Sequence, residues 1–181
     1  MRMTTPDEAL AQAAATGDRD AFAALLARHY DRLFGLAFRL LGNRAEAEDL
    51  TQDICMALPA KLQGYRAEAK FTTWLYRVAM NAAQDRRRRM ASRGRAADGW
   101  GDWEVNRRQA NAEDADRTDW LAQAMAQLKP ELRDTATLIL AEDLTQAEAA
   151  DILNVPAGTI AWRMSEVKKT LRALAQTELT P

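Results

Sequence analysis

The sequence predicts an all-α protein made of two small helical domains joined by a flexible linker. Alanine and leucine dominate its apolar residues, whereas aromatic residues form 7% of the chain, which holds 8 glycines and 5 prolines. Alanine and leucine are strong helix formers, and β-sheets favour the aromatic residues that are scarce here. Apolar residues also recur every three or four positions over long stretches, which is the spacing of a helix face.

Charge is segregated along the chain, although the formal net charge is −1. Residues 61–95 carry ten basic and two acidic side chains, and residues 96–151 carry five basic and thirteen acidic ones. A concentrated basic segment predicts contacts with nucleic-acid phosphates, because each neutralised phosphate releases counterions. The acidic segment needs another explanation, such as a protein partner or screening of the basic one.

The first two predicted helices meet at Gly42. Residues 22–41 repeat apolar side chains on one face, and Gly42 ends that helix. Asn43 can cap a second amphipathic helix by accepting a hydrogen bond from one of its first N–H groups. We place the end of this second helix at Pro59 and Gly64.

A third helix is predicted to begin at Phe71 and to run into four consecutive arginines, 86–89. Three helices of this length can enclose one small core. Beyond Met90 no apolar period is sustained, and Gly, Ala and charged residues prevail, which indicates a linker. We therefore place the first domain at residues 1–92 and the linker at residues 93–116.

The remaining segment, residues 117–181, contains a helix-turn-helix pattern. Thr145 and Glu148 form a capping box for a helix that ends near Leu153, and a short turn leads to a second helix opened by Gly158. The second helix of such a unit enters the major groove of duplex DNA. This segment therefore predicts a second, DNA-binding domain.

Several functional classes are disfavoured. Cys55 and His29 are the only residues of their types, so neither an internal disulfide nor a zinc site is expected. No nucleophile motif accompanies the acidic residues of the second helix, and we expect no catalytic residue, no metal and no cofactor. No uncharged apolar run reaches membrane-spanning length, which predicts a soluble, cytoplasmic protein without stable membrane insertion.

The order and spacing of these segments resemble the extracytoplasmic-function sigma factors, the smallest class of the sigma-70 family. Residues 44–58 resemble the motif by which such proteins grip the clamp helices of RNA polymerase. Residues 71–89 resemble the segment that reads and melts the −10 element, and residues 128–174 resemble the domain that reads the −35 element. The resemblance implies a sigma factor with region 2 and region 4 domains that binds core RNA polymerase and initiates transcription.

By this resemblance, the acidic side of the second helix contacts the beta and beta-prime subunits of core polymerase. Charge runs on helices are ordinarily solvated faces, which is the alternative interpretation here. Carboxylates at the rim of an interface can nevertheless steer and register a basic partner. The residues predicted for this contact are Glu46, Glu48, Asp49, Gln52 and Asp53.

Promoter opening requires cationic side chains for the DNA backbone and flat side chains that replace lost base stacking. By resemblance, Phe71 and its preceding loop hold a flipped base, and Trp74 lies near the fork. Both residues also fall on the apolar stripe, so a core role stands beside the functional one. The residues predicted for −10 binding and melting are Tyr65, Lys70, Phe71, Trp74, Arg77, Asn81, Arg86, Arg87, Arg88 and Arg89.

The second helix of the helix-turn-helix unit is the predicted −35 recognition helix. Arginine can bond bidentately to guanine or brace a phosphate, which makes Arg163 the leading contact. The family commonly has basic or hydroxyl residues where this chain has Ala161 and Trp162, and Glu166 would repel phosphate, so the −35 preference stays open. The residues predicted for −35 binding are Thr159, Ala161, Trp162, Arg163, Ser165, Lys168 and Lys169.

Two other functions remain as alternatives. A sigma-like decoy or adaptor would bind an anti-sigma factor without productive promoter recognition, and a polymerase-independent repressor would bind duplex DNA directly. The partners implied by the resemblance are core RNA polymerase, promoter DNA and an anti-sigma factor, and no homo-oligomer is required.

Overall fold

The computed structural model describes residues 5–96 and 118–178, and every regular element in these ranges is helical. The N-terminal helices are α1 (Asp7–Ala15), α2 (Arg19–Leu41), α3 (Arg44–Leu62) and α4 (Phe71–Ala96). The C-terminal helices are α5 (Thr118–Gln127), α6 (Pro130–Ala136), α7 (Gln146–Leu153) and α8 (Ala157–Glu178), with a π-helical turn at Thr137–Ala141 between α6 and α7. The predicted all-α fold class is confirmed.

Three helix ends form as the sequence predicts. Gly42 ends α2 with a φ of 68°, a left-handed conformation that glycine adopts without strain. The Asn43 side chain accepts a hydrogen bond from the Glu46 N–H at 3.0 Å and begins α3. Thr145 and Glu148 make both bonds of the capping box that begins α7.

The main apolar core lies among the N-terminal helices and continues into the C-terminal ones. Leu36 and Leu40 of α2 are fully buried in it. Leu138 of the π-helical turn and Ile160 of α8 belong to the same cluster of buried residues. A smaller cluster lies between α6 and α8 around Val167. The C-terminal helices are therefore seated on the N-terminal ones by apolar contact as well as by polar bonds.

Two helices continue past a residue at which the sequence suggests a break. Pro59 lies inside α3, which continues to Leu62, because the buried side chains of Leu58 and Leu62 hold that last turn against the core. Helix α4 continues to Ala96, past the predicted start of the linker. The rest of the predicted linker, 97–116, lies outside the described residues, and both domain boundaries remain predictions.

Helix α1 has no strong sequence signal, because its buried face consists mainly of alanines such as Ala11 and Ala14. Its first residue, Asp7, joins it to α2. The Asp7 carboxylate accepts a hydrogen bond from Arg28 at 2.7 Å and lies 2.7 Å from Nε2 of His29. This short helix is therefore fixed to α2 by the Asp7 anchor and by close packing of small side chains.

Asp7 is expected to stabilise the fold in a pH-dependent way. Burial opposes its ionisation, but the hydrogen bonds from Arg28 and His29 outweigh this and lower the pKa of Asp7 from its ordinary value of 3.8. Because the folded pKa is the lower one, the stabilisation is present above the ordinary value and is lost as pH falls through the folded pKa. Asp7→Asn should lower the free energy of unfolding by about 1 kcal/mol at neutral pH.

Urea unfolding at neutral pH and again well below the ordinary pKa of Asp7 tests this expectation. The difference between the parent chain and Asp7→Asn should shrink at the acidic condition. Asp31→Asn, at an exposed position of α2, is the matched control. An equal loss of stability in both variants would show that the effect is not specific to the Asp7 anchor.

Candidate functional site

The five residues predicted to contact polymerase lie together on α3. We call this set the acidic face of α3: Glu46, Glu48, Asp49, Gln52 and Asp53. Glu46 is half-buried and the other four are exposed. Met56 lies one helical turn after Asp53 on the same side, and 80% of its surface is exposed. An exposed methionine bordered by carboxylates is typical of a protein-binding surface rather than of a solvated helix face.

Arg86 of α4 is the cation that organises this acidic face. Its guanidinium donates to the carboxylates of Glu46, Asp49 at 3.0 Å and Asp53 at 3.3 Å. Burial opposes the charge of Arg86, but its hydrogen bonds with Glu46 and Asp49 outweigh that effect and raise its pKa. The side chain is 20% exposed, so little of the guanidinium remains for any other partner.

An aromatic cluster forms where the loop before α4 meets the first turn of that helix. The ring of Trp74 lies 5.2 Å from Tyr65 and 5.8 Å from Phe71, centroid to centroid. Phe71 is 2% exposed and Tyr65 is 9% exposed, whereas Trp74 is half-buried. Phe71 is therefore a core residue in this structure, and Trp74 keeps surface on which a base could stack.

Two hydrogen bonds fix the loop that carries this cluster. The Tyr65 hydroxyl donates to the Ala69 carbonyl at 2.8 Å, and the Phe71 N–H donates to the Glu8 carboxylate at 3.1 Å. Burial, followed by the charges of Glu8 and Asp7, raises the pKa of Tyr65, so its hydroxyl remains a donor. Helix α1 thus holds the start of α4 in place.

The arginine run does not form one basic patch. A helix turns by about 100° per residue, so four consecutive side chains point in different directions. Arg86 faces α3, and Arg87 reaches Asp134 of α6. Arg88 pairs within its own helix, and both Arg88 and Arg89 are exposed. The cations that face solvent here are therefore the last two of the run.

The remaining predicted −10 residues lie along α4 and its start. Lys70 and Asn81 are exposed. Arg77 is half-buried and donates to Asp151 of α7, at 2.8 Å to the carboxylate and 3.1 Å to the carbonyl. The Nε of Arg77 is buried and has no hydrogen-bond partner among the described residues.

A second polar contact between the two sets of helices centres on Glu142, which follows the π-helical turn. Its carboxylate accepts hydrogen bonds from the Tyr76 hydroxyl at 2.6 Å, from Arg32 Nε at 2.9 Å and from Arg39. The Glu142 side chain is 1% exposed. Burial, followed by the hydrogen bond to Glu142, raises the pKa of Tyr76 far above its ordinary value. The neutral tyrosine and the two arginines together compensate for burying the carboxylate.

The predicted recognition helix, α8, follows the turn after α7 as the sequence pattern indicates. Most of its predicted −35 residues face solvent, and Trp162 is 60% exposed. Arg163 and Thr159 are half-buried. The buried side of α8 carries Ile160, Met164 and Val167. The exposed residues of the predicted −35 set are Ala161, Trp162, Ser165, Lys168 and Lys169.

The roles of four residues of these surfaces are not predicted from the sequence. Tyr76 looks like one more member of the aromatic segment, and Met56 looks like a core position. Asp134 and Glu142 are two acids among thirteen in residues 96–151, and their buried positions are set by partners far away in sequence. A large apolar residue at the i+7 position of a charged helix face is the one signal that points to Met56.

Three further features of the described residues concern membranes, metal ions and thiol chemistry. Across residues 5–96 and 118–178, no helix offers an apolar stretch that would span a bilayer. The same ranges hold no group of three or more His, Cys, Asp or Glu side chains arranged to bind a metal ion. Cys55 is half-buried, and burial raises the pKa of its thiol, which disfavours the reactive thiolate.

Sequence comparisons place this chain beside known transcription proteins. The model of Sigma-70 region 2 matches residues 25–93. The ECF RNA polymerase sigma factor SigW of Bacillus subtilis is 30% identical over 172 residues, which cover 86% of this chain and 89% of SigW. The RNA polymerase sigma-H factor of Pseudomonas aeruginosa is 26% identical over 91% of each chain.

Solved structures give the same result for the fold. CnrH, solved in complex with the cytosolic domain of CnrY, superposes with a TM-score of 0.69 at 25% identity and covers 94% of this chain and 97% of its own. The sigma factor RpoE, solved with the anti-sigma factor NepR from Bartonella quintana, superposes with a TM-score of 0.67 at 22% identity, covering 86% and 96%. With a relative of 30% identity matched over nearly its whole length, the chain belongs to the extracytoplasmic-function sigma factors of the sigma-70 family.

Proposed function

We propose that this sigma factor binds core RNA polymerase through the acidic face of α3, melts the −10 element with the start of α4 and its arginine run, and positions the −35 element with α8. The observation that carries the proposal is the arrangement of α4. Its first turn presents Trp74 beside a fixed aromatic loop, and farther along the helix Arg86 organises the acidic face while Arg88 and Arg89 face solvent. One rigid helix thus joins a protein-binding surface to a nucleic-acid surface.

The polymerase contact rests on the acidic face of α3 with Met56. Exposed carboxylates steer a basic partner surface, and an exposed methionine adds apolar contact area at the edge of the acidic face. Because Arg86 holds Glu46, Asp49 and Asp53 in one geometry, the face is preorganised and loses less side-chain entropy on binding. Beta and beta-prime subunits of core polymerase are the proposed partners of this surface.

The promoter contact divides between melted and duplex DNA. Trp74 is the proposed stacking platform for an unpaired base, and Lys70, Asn81, Arg88 and Arg89 are the exposed polar groups beside the strand. Phe71 and Tyr65 support this platform from the core rather than contacting the base directly.

The −35 contact is proposed for the exposed side of α8. Lys168 and Lys169 supply phosphate contacts, while Trp162 offers an aromatic surface at the helix's first turns. Arg163 is half-buried. Its guanidinium therefore contacts DNA from the edge of the exposed side of α8 rather than from the centre of that side. The proposed division is a −10 and polymerase domain at 1–92, a linker at 93–116 and a −35 domain at 117–181.

An anti-sigma factor is the proposed regulator. CnrH and RpoE were each solved as complexes, CnrH with CnrY and RpoE with an anti-sigma factor. The decoy hypothesis shares this partner and differs in having no productive promoter recognition. The half-buried Trp74 and the exposed Arg88 and Arg89 favour the sigma function over a decoy, since a decoy has no need of them.

In vitro transcription with purified core polymerase and a library of promoter-like duplexes tests the proposed function. Selective run-off transcripts are the expected result, and they would also define the −10 and −35 preferences. Binding to core without initiation on any member of the library would favour the decoy. No binding to core would contradict the polymerase contact itself.

Arg86 and Arg89 are expected to behave differently although they are neighbours in one arginine run. Arg86→Ala should lower the free energy of unfolding by about 1 kcal/mol, because it leaves the half-buried Glu46 without its partner. Its effect on affinity for a forked promoter DNA should stay below about twofold, because its guanidinium is already committed to α3. Arg89→Ala should leave stability unchanged and weaken that affinity about threefold, uniformly across sequences.

Chemical denaturation and fluorescence anisotropy with a forked duplex, at one stated salt concentration, measure both effects. Each variant is the control for the other, since both remove one arginine from the same run on α4. Equal losses of DNA affinity would contradict the division of the run that the structure describes.

A further inference from the structure

The solvent-facing side of α8 carries a carboxylate that is not among the residues predicted for −35 binding. A helix turns by about 100° per residue, so the side of α8 opposite the buried Ile160 is centred on Trp162. We call this side the outward side of α8, and it is formed by Trp162, Ser165, Glu166 and Lys169. In a helix-turn-helix unit the outward side of the second helix faces the base edges of the major groove.

The Glu166 carboxylate has no partner among the described residues. Glu166 is half-buried, and its side chain makes no hydrogen bond or ion pair with residues 5–96 or 118–178. Arg163 and Lys169 lie one helical turn to either side, at i−3 and i+3, but neither pairs with it. The half-buried Asp7 and Glu46, by contrast, are each held by an arginine. A partly desolvated carboxylate without a partner is available to a hydrogen-bond donor from outside the chain.

The cations of α8 surround this carboxylate without covering it. Arg163 and Lys168 lie on opposite flanks of the helix, between its buried and outward sides. Phosphates border the major groove, so cations on the flanks contact the DNA backbone, whereas Trp162 and Glu166 face the bases. These two residues are separated by about 6 Å along the helix axis, which corresponds to about two base-pair steps.

A carboxylate distinguishes the bases of the major groove by its lack of a donor. Cytosine presents the N4 amino donor, guanine presents two acceptors, thymine presents one acceptor and a methyl group, and adenine presents one donor and one acceptor. An ionised carboxylate only accepts hydrogen bonds, so it binds cytosine and is repelled by the acceptors of guanine and thymine. Adenine is intermediate, because its donor lies beside an acceptor.

We infer that Glu166 is a specificity residue of α8, which selects a cytosine of the −35 element by accepting a hydrogen bond from its N4 amino group. The inference rests on the proposed function, because it takes α8 as the −35 recognition helix. Arg163 and the two lysines hold phosphates. Trp162 lies one turn before Glu166 and is 60% exposed, so in the groove its ring excludes water from beside the carboxylate and strengthens that hydrogen bond.

The test uses holoenzyme reconstituted from core polymerase and the full chain. Its templates are promoter duplexes that share one −10 element, chosen in the transcription assay, and carry a randomised −35 segment with a transcribed barcode. Sequencing of the transcripts should reveal one −35 position at which the parent holoenzyme prefers cytosine by about fivefold.

Two substitutions should change the base that is preferred at this position. Glu166→Gln should change it to adenine, because a glutamine amide accepts from adenine N6 and donates to N7. Glu166→Arg should change it to guanine, because a guanidinium donates to O6 and N7. Glutamine and arginine are both strong helix formers, so α8 should be retained, and circular dichroism verifies this. If Glu166→Arg loses helix content, Glu166→Gln alone decides.

Two further variants serve as controls. Arg163→Ala should lower transcription from every −35 sequence by about threefold and leave the preferred base unchanged, because a phosphate contact carries no sequence information. Glu131→Arg makes the same charge change as Glu166→Arg at an exposed position of α6. It should also leave the preferred base unchanged, which excludes net charge as the cause of a switch.

The inference is overturned if the Glu166 variants keep the parent's base preference, or if Arg163→Ala changes it. It is equally overturned if the parent holoenzyme initiates from the shared −10 element without preferring cytosine at any −35 position. Failure of the proposed function gives a different outcome, in which the parent chain and core polymerase produce no transcript from any duplex. That result would overturn both.

Discussion

Replacing Asp49 and Asp53 together with lysine is expected to reduce transcription at limiting core polymerase by about 100-fold, which corresponds to about 3 kcal/mol of lost binding. Both carboxylates are exposed on the acidic face of α3, with 65% and 70% of their side-chain surfaces accessible. Charge reversal places two lysines against a basic partner and against Arg86. Electrostatic attraction is then lost both at the interface with polymerase and within the acidic face of α3.

A competition assay for core polymerase measures this loss directly, and run-off transcription at saturating sigma factor separates binding from melting. Excess variant should restore most of the transcription, because its α4 is intact. The matched control is the double exchange of Asp20 and Asp31 for lysine, at exposed positions of α2. An equal loss in the control would mean that net charge, and not this face, governs binding.

Much of the fold follows from short-range chemistry that a sequence displays. Gly42 ends α2 because its left-handed φ needs no Cβ, and Thr145 with Glu148 begins α7 because each satisfies a free backbone N–H of that helix end. The same reasoning fails at Pro59, where burial of the neighbouring leucines outweighs a missing hydrogen bond. Local rules thus predict helix ends well until core packing opposes them.

The site is less predictable because its contacts join distant segments. Residue type and spacing identify the acidic face of α3 and the aromatic loop before α4, since each is a local pattern. They cannot show that Arg86 turns toward α3 or that Arg87 reaches Asp134, because these choices depend on where other helices pack. Glu142 is the clearest case, since its burial requires Arg32 and Tyr76 from two separate helices.

In the aromatic loop the structure separates a fully buried residue from one that keeps accessible surface. Phe71 and Trp74 lie on the same apolar stripe of α4, and either could serve the core or the DNA. With 2% exposure Phe71 has no face to offer a base, whereas Trp74 is half-buried against Tyr65. We therefore propose Trp74 for stacking of an unpaired base, with Phe71 holding its geometry.

Trp74→Ala is accordingly expected to lower promoter opening about 30-fold, because base–aromatic stacking is worth about 2 kcal/mol per base. Trp74→Phe should retain most of the activity, since a smaller ring still offers a flat face. Permanganate footprinting of the −10 region measures opening, and the competition assay should show unchanged core binding, as Trp74 lies apart from the acidic face of α3.

A tryptophan that packs partly against the core also contributes to stability, so folding must be separated from stacking. Val78→Ala removes half-buried apolar surface from the same helix without touching the aromatic loop. Both alanine variants should lose stability, by about 1 to 3 kcal/mol, but only Trp74→Ala should lose opening at a temperature where both are folded. A premelted promoter bubble sharpens the distinction. If Trp74 stacks on an unpaired base, Trp74→Ala should bind the bubble more weakly than Val78→Ala does. Equal binding by the two variants would mean that Trp74 serves only the core.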